Sequence, residues 1–136
     1  MGLAVLDAGV LIAALDAGDV HHAPAIAALH EARARGDKLV LPASAYAEAL
    51  VGPSRRGADA VATLDAFLDA LPAAVEPATR EVARRAASLR AAHSRGLKLP
   101  HALVLATAGV LDADVVLTTD SGWPAVGVEV RVLNRS

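Results

Sequence analysis

Short apolar runs alternate with longer segments of helical period along this chain. Leu3 to Leu6 is a continuous apolar run that ends on Asp7, the pattern of a strand buried on both faces in a parallel sheet. Ala8 to Leu15 follows as a short helix, and Asp19 precedes a longer one that runs to a stop at Gly36. Leu39-Val40-Leu41 is a second strand ended by Pro42. Ser44 is then placed to cap a helix carrying Tyr46, Glu48, Leu50 and Val51, up to a break at Gly52-Pro53. A helix through Val61, Leu64, Phe67 and Leu68 ends at Pro72, and Ala74-Val75-Glu76 forms a brief third strand. Thr79 is placed to cap a helix that ends at Gly96, and Pro100 starts another, His101 to Leu111. Val115-Val116-Leu117 is a fourth strand ending near Asp120, and Val128, Val130 and Val132 alternate as a fifth. Apolar strands separated by helices predict an α/β protein with three layers, α/β/α, around a mainly parallel sheet of four or five strands. No repeat or low-complexity linker interrupts the pattern, so residues 1–136 are expected to form one domain.

Composition narrows this picture. With 54% hydrophobic but only 2% aromatic residues, the core must be aliphatic. The absence of cysteine excludes disulfides, thiolate zinc sites and cysteine nucleophiles, and it fits a reducing cytosol. Any metal must sit on oxygen or imidazole. The acid at position 7 comes too soon for the apolar run of a secretion signal, and Leu99 to Leu111 is well short of the roughly 20 residues that span a bilayer. A cytoplasmic protein with no membrane association is the expectation. The net charge of -2 conceals an uneven distribution: Arg80, Arg84, Arg85, Arg90, Arg95 and Lys98 share their segment with Glu81 as the sole acid. Such a stripe either presents one helix face to phosphates or is a solvated face.

In open α/β sheets ligands bind beyond the carboxyl ends of the strands, where strand order reverses. Asp7 and Asp120 both fall at such ends. If the first and fourth strands are neighbours, right-handed crossovers bring these two carboxylates together, and their repulsion calls for a hard divalent cation. Each acid also has an ordinary explanation: Asp7 as a helix cap for Ala8 onward, Asp120 as a turn former.

Several segments add up to more than either acid alone. Leu6-Asp7-Ala8-Gly9-Val10-Leu11-Ile12, the turn Asp19-Val20-His21-His22-Ala23, Glu48 in its post-strand helix, Leu99-Pro100-His101-Ala102-Leu103 and Leu117-Thr118-Thr119-Asp120 together resemble the PIN-domain family. The likeness covers nearly the whole chain and is closest to the VapC-type toxin ribonucleases of type II toxin-antitoxin systems. It implies a metal-dependent endoribonuclease that hydrolyses RNA phosphodiester bonds. In such a site Asp7 and Asp120 would hold Mg2+ or Mn2+, Glu48 would add a third carboxylate, and Thr118 would shape the site. Arg84 and Arg95 on the basic helix would hold the RNA. A cognate antitoxin and a homodimer are implied as partners.

One position departs from that pattern, because the family usually has an acid where this chain has His101. In the first turn of a helix the positive dipole end disfavours imidazolium and favours a neutral ring able to ligate metal. Imidazole is softer than carboxylate, so Mn2+ should gain over Mg2+. The alternative is a PIN-like RNA- or protein-binding module with impaired catalysis. His21, His22, His30 and His93 lack metal-ligand spacing, and His22 reads as a packing residue at a helix start. Asp112 and Asp114 precede the fourth strand and read as turn residues at the opposite edge. Trp123 either stacks a base or anchors its loop by packing beside Pro124. A phosphoacceptor receiver domain would need a second acid after the first strand and a lysine after a late strand. Only Lys38 and Lys98 exist, and neither fits.

Overall fold

The structure, a computed structural model, describes residues 2–134. In chain order the elements are β1 (Leu3–Leu6), α1 (Ala8–Leu15), α2 (His22–Ala34), β2 (Lys38–Pro42), α3 (Ala43–Arg56), α4 (Ala58–Ala70), β3 (Ala73–Glu76), α5 (Arg80–Ala92), α6 (Leu99–Val110), β4 (Val115–Thr118) and β5 (Glu129–Val132). The five strands form one sheet in the order β3-β2-β1-β4-β5, and every pair is parallel. The chain therefore steps outward from β1 to β3 and returns past β1 to β4. Right-handed crossovers put the helices of the outward and returning segments on opposite faces, which gives the three expected layers.

The strand sequences explain the order. Val5 and Leu6 in β1, Leu41 in β2 and Val116 in β4 are completely or almost completely buried, as central strands covered on both faces require. The outer strands β3 and β5 are the exposed ones. Alanine fills the helix faces that approach most closely: Ala8 and Ala13 in α1, Ala45 and Ala49 in α3, and Ala102, Ala106 and Ala108 in α6 are all buried. Small side chains let backbones approach while Leu and Val fill the remaining volume, and so an aliphatic core closes with little aromatic bulk.

Local chemistry fixes the starts and stops. The Thr79 hydroxyl accepts from Val82 N at 3.2 Å and caps α5 as expected. Pro100 sits in the first turn of α6, where its missing N–H costs nothing. The His22 ring bonds the Ala13 carbonyl at 2.8 Å, tying α2 to α1, so it is the packing residue that its position suggested. At the far edge of the sheet Asp37 accepts from Gly2 N at 3.0 Å and Asp114 from Leu3 N at 2.7 Å, which satisfies the first donors of the central strand.

Three expectations are corrected. Ser44 is not a cap, since α3 already begins at Ala43 with Pro42 before it. Gly52-Pro53 does not break α3, which continues to Arg56. Pro53 forfeits one backbone bond, yet its ring is buried and its carbonyl accepts from Gly57 N at 3.0 Å, so the helix resumes and ends at Gly57, whose φ of 121° leaves the helical region. Helix α5 stops at Ala92 rather than at Gly96, because the Arg90 guanidinium donates to the Leu97 carbonyl at 2.7 Å and folds the next residues into a turn.

Candidate functional site

Asp7 is the first residue after β1 and the cap of α1. It is buried, at 3% exposure, and its Oδ1 accepts from Ala8 N at 2.9 Å. The cap explanation is therefore true of one oxygen only. The other, Oδ2, accepts from the Thr118 hydroxyl at 2.8 Å, and Thr118 Oγ1 in turn accepts from Asp120 N at 3.1 Å. One buried threonine at the end of β4 thus sets both acids, which the direct β1–β4 pairing brings side by side.

His101 reaches the same place from the first turn of α6. Its Nε2 lies 3.1 Å from Asp120 Oδ2. One ligand atom each from Asp7, His101 and Asp120 lie within 4.8 Å of one another. Burial pushes the Asp7 carboxyl above the ordinary carboxylate range; Thr118, His101 and the Ala8 N–H oppose the rise, and the Asp120 charge adds to it. Among the described residues no lysine or arginine pairs with Asp7. Two carboxylates and an imidazole converging on one point, one acid buried without a counter-charge, are a donor set that fits a divalent cation.

Glu48 stands outside this trio, exposed on α3, where it lines a cleft of about 420 Å³ with Ile12, Leu15, Asp16, Pro53 and Arg56. Its carboxyl is also raised, first by partial desolvation and then by the charges of Asp7 and Asp120, with His101 opposing. It is therefore within electrostatic reach of the trio.

The basic stripe is divided. Arg90 is spent on the Leu97 carbonyl. The Arg85 guanidinium lies against Gly109 on α6, where a Cβ would come within 2.9 Å of it. Arg84 is exposed on α5, whereas Arg95 lies in the turn after that helix, beside Gly122 and Pro124. Gly109 is eight residues beyond His101 on α6, roughly 12 Å along the axis at 1.5 Å per residue, so the Arg84–Arg85 turn is remote from the trio and Arg95 is close to its end of the sheet.

Two neighbours of the trio make contacts that the sequence alone does not show. A Cβ on Gly9 would collide with Thr119 Oγ1, so glycine there lets the loop carrying Asp120 close onto α1. Trp123 stacks on His101, ring centroids 4.6 Å apart and planes 28° apart. Packing was one of the expectations for this tryptophan, but its partner is a site residue. Only its position, three residues after Asp120, hinted at that.

Residues 4–129 match the PIN domain family. No curated protein matches the chain by sequence. Among solved structures, VapBC2 from Rickettsia felis bound to a promoter DNA fragment aligns with a TM-score of 0.78 at 14% identity, covering 97% of this chain and 99% of that one. FitAcB from Neisseria gonorrhoeae gives 0.67 at 21% identity, covering 88% of each chain. VapC20 from Mycobacterium tuberculosis, described as a sarcin-ricin loop cleaving toxin, gives 0.66 at 19%, covering 83% of this chain and 86% of that one. At such identities the likeness is one of fold. With the family match running from residue 4 to residue 129 of 136, over the same all-parallel sheet and acid-bearing strand ends, this chain belongs to the PIN domain family.

Proposed function

We propose that the chain is a divalent-metal-dependent endoribonuclease, the toxin of a toxin-antitoxin pair. The observation that carries this reading is the convergence of Asp7, His101 and Asp120 within 4.8 Å at the carboxyl end of the sheet in a PIN-family protein. Asp7 and Asp120 would hold the ion, with His101 as the third ligand; two oxygens and one imidazole nitrogen favour Mn2+ over Mg2+. When bound, such an ion polarises a phosphoryl oxygen and makes water a better nucleophile at neutral pH.

The chain's own groups do the rest. Thr118 holds Asp7 so that the carboxylate needs no reorganisation when charge develops. Glu48, with its raised affinity for a proton, accepts one from the attacking water or adds its carboxylate to the ligand set. Arg95 holds the RNA phosphate nearest the site, and Arg84 one farther along the strand. Ile12, Leu15 and Val51 are large apolar side chains exposed on α1 and α3, the first two lining the cleft beside Glu48. They offer a surface to an antitoxin or to a second copy of the chain. No helix among the described residues is long and apolar enough to cross a membrane.

The 3.1 Å contact between His101 Nε2 and Asp120 Oδ2 favours one other reading, since an acid already partnered by a ring of its own chain suits a PIN-like RNA- or protein-binding module without turnover. RNA cleavage by the parent, Asp7→Asn and His101→Asp chains in Mg2+ and in Mn2+ separates the two. The nuclease reading expects the parent and His101→Asp to cut and Asp7→Asn to be silent. Cleavage by His101→Asp alone selects the binding module, and equal cleavage by Asp7→Asn overturns the site.

A further inference from the structure

Histidines that bind metals usually donate their second ring N–H to a carboxylate or carbonyl, and that bond fixes both tautomer and ring orientation. Among the described residues His101 has no such partner on Nδ1. Its Nε2 faces Asp120, and among the described residues no hydrogen bond reaches its Nδ1. What touches the ring instead is the indole of Trp123, stacked at 4.6 Å and 28°.

The indole is not held there by a hydrogen bond of its own, because Trp123 Nε1 is buried without an acceptor among the described residues. Leaving that donor unpaired is costly, and the stack on His101 is the specific contact that the position provides. The electron-rich indole face also suits an imidazole that has given up electron density, as a metal-bound ring does. Trp123 reaches this place because it follows Asp120 in the loop between β4 and β5, so one loop carries both the acid and the ring that flank His101.

We propose that Trp123 is the positioning residue for His101: by stacking it does what a hydrogen-bond acceptor does for most metal-bound histidines, and it keeps Nε2 turned toward Asp120. The inference rests on the metal-centre reading above. With one indole face taken by His101, the ring is not free to sit between two bases.

The test uses Mn2+ alone, titrated by calorimetry into the full chain and into Trp123→Leu, His101→Asp, the double variant and Asp7→Asn, with thermal melting as a check on folding. Trp123 is the only tryptophan, so its emission in the parent reports on the same site, and Mn2+ should quench it with the calorimetric Kd. Trp123→Leu is expected to weaken Mn2+ binding about 10-fold where residue 101 is His, and less than about 2-fold in the His101→Asp background, where there is no imidazole to orient. An equal loss in both backgrounds, or no loss in either, overturns the proposal. If Trp123→Leu does not fold, Trp123→Phe replaces it. A loss of about 3-fold confined to the His101 background then supports the proposal, and equal effects in the two backgrounds overturn it. If Asp7→Asn binds Mn2+ like the parent, the centre itself is misassigned and the proposal falls with it. If Asp7→Asn loses binding while Trp123→Leu keeps it, the centre stands and only the positioning role is overturned.

Discussion

The Thr118 hydroxyl donates to Asp7 Oδ2 at 2.8 Å across 111 residues of sequence. This bond and the Ala8 N–H steady a carboxylate that burial penalises, and the penalty prevails, because the Asp7 carboxyl is held above its ordinary range. A raised native pKa means that the unfolded chain ionises first. Metal-free stability is therefore lost as pH rises from about 4 through the native pKa.

Asp7→Asn keeps the side-chain oxygen that caps α1 and removes the buried charge. Without metal it should melt a few degrees above the parent at pH 7 and together with it below about pH 4, where both side chains are neutral. Added Mn2+ should raise the parent's Tm and leave the variant's unchanged. A variant that melts below the parent at pH 7 would show that the charge is already compensated. Thermal melts from pH 3.5 to 8, with and without Mn2+, decide it.

His101→Asp converts the imidazole into a third carboxylate. It should tighten Mg2+ binding by about 10-fold or more and narrow the preference for Mn2+, because hard oxygen ligands suit Mg2+ better. Calorimetric titration with each ion gives the ratio, and an unchanged Mn2+/Mg2+ ratio would remove His101 from the ligand set.

Gly9→Ala places a methyl group on Thr119 Oγ1. The expected cost is about 1–3 kcal/mol of stability from overpacking, together with at least about 10-fold in Mn2+ affinity, because the residue that must yield adjoins Asp120. Adding Thr119→Ala should restore most of both. Urea unfolding and metal titration of the single and double variants supply the cycle, and a double variant no better than Gly9→Ala refutes the assigned collision.

Tyr46→Phe removes a 2.6 Å bond from the Tyr46 hydroxyl to Asp65 that links α3 to α4. Stability should fall by about 1–2 kcal/mol in urea unfolding, with Mn2+ affinity within about 2-fold of the parent, since the bond lies away from the trio. A large loss of metal affinity would instead tie Glu48 on α3 to the ligand set.

The strands that carry Asp7 and Asp120 were legible because burial on both faces leaves an unbroken apolar run, as in Leu3 to Leu6 and Val115 to Leu117. His101 was legible as the departure in an otherwise matching segment. The course of α3 through Pro53 was not, since whether a proline stops a helix depends on what buries its ring. Nor was the division of the basic stripe, where Arg90 turns back to a carbonyl that its own helix does not contain. Gly9 meets Thr119, 110 residues later in the chain, and Trp123 meets His101, 22 residues earlier and on a different element, so neither partner shows in a local pattern. Thr119 and His101 decide their roles, and only the closed fold supplies these neighbours.

The strand order has a consequence in time as well as in space. Leu6 takes its place against Leu117, and β4 is among the last strands to be synthesised although it pairs with the first. A growing chain shows Asp7 early, adds His101 late and completes the trio only when Asp120 has emerged. A product cut short between His101 and Asp120 carries two of the three side chains and lacks the one that completes the centre.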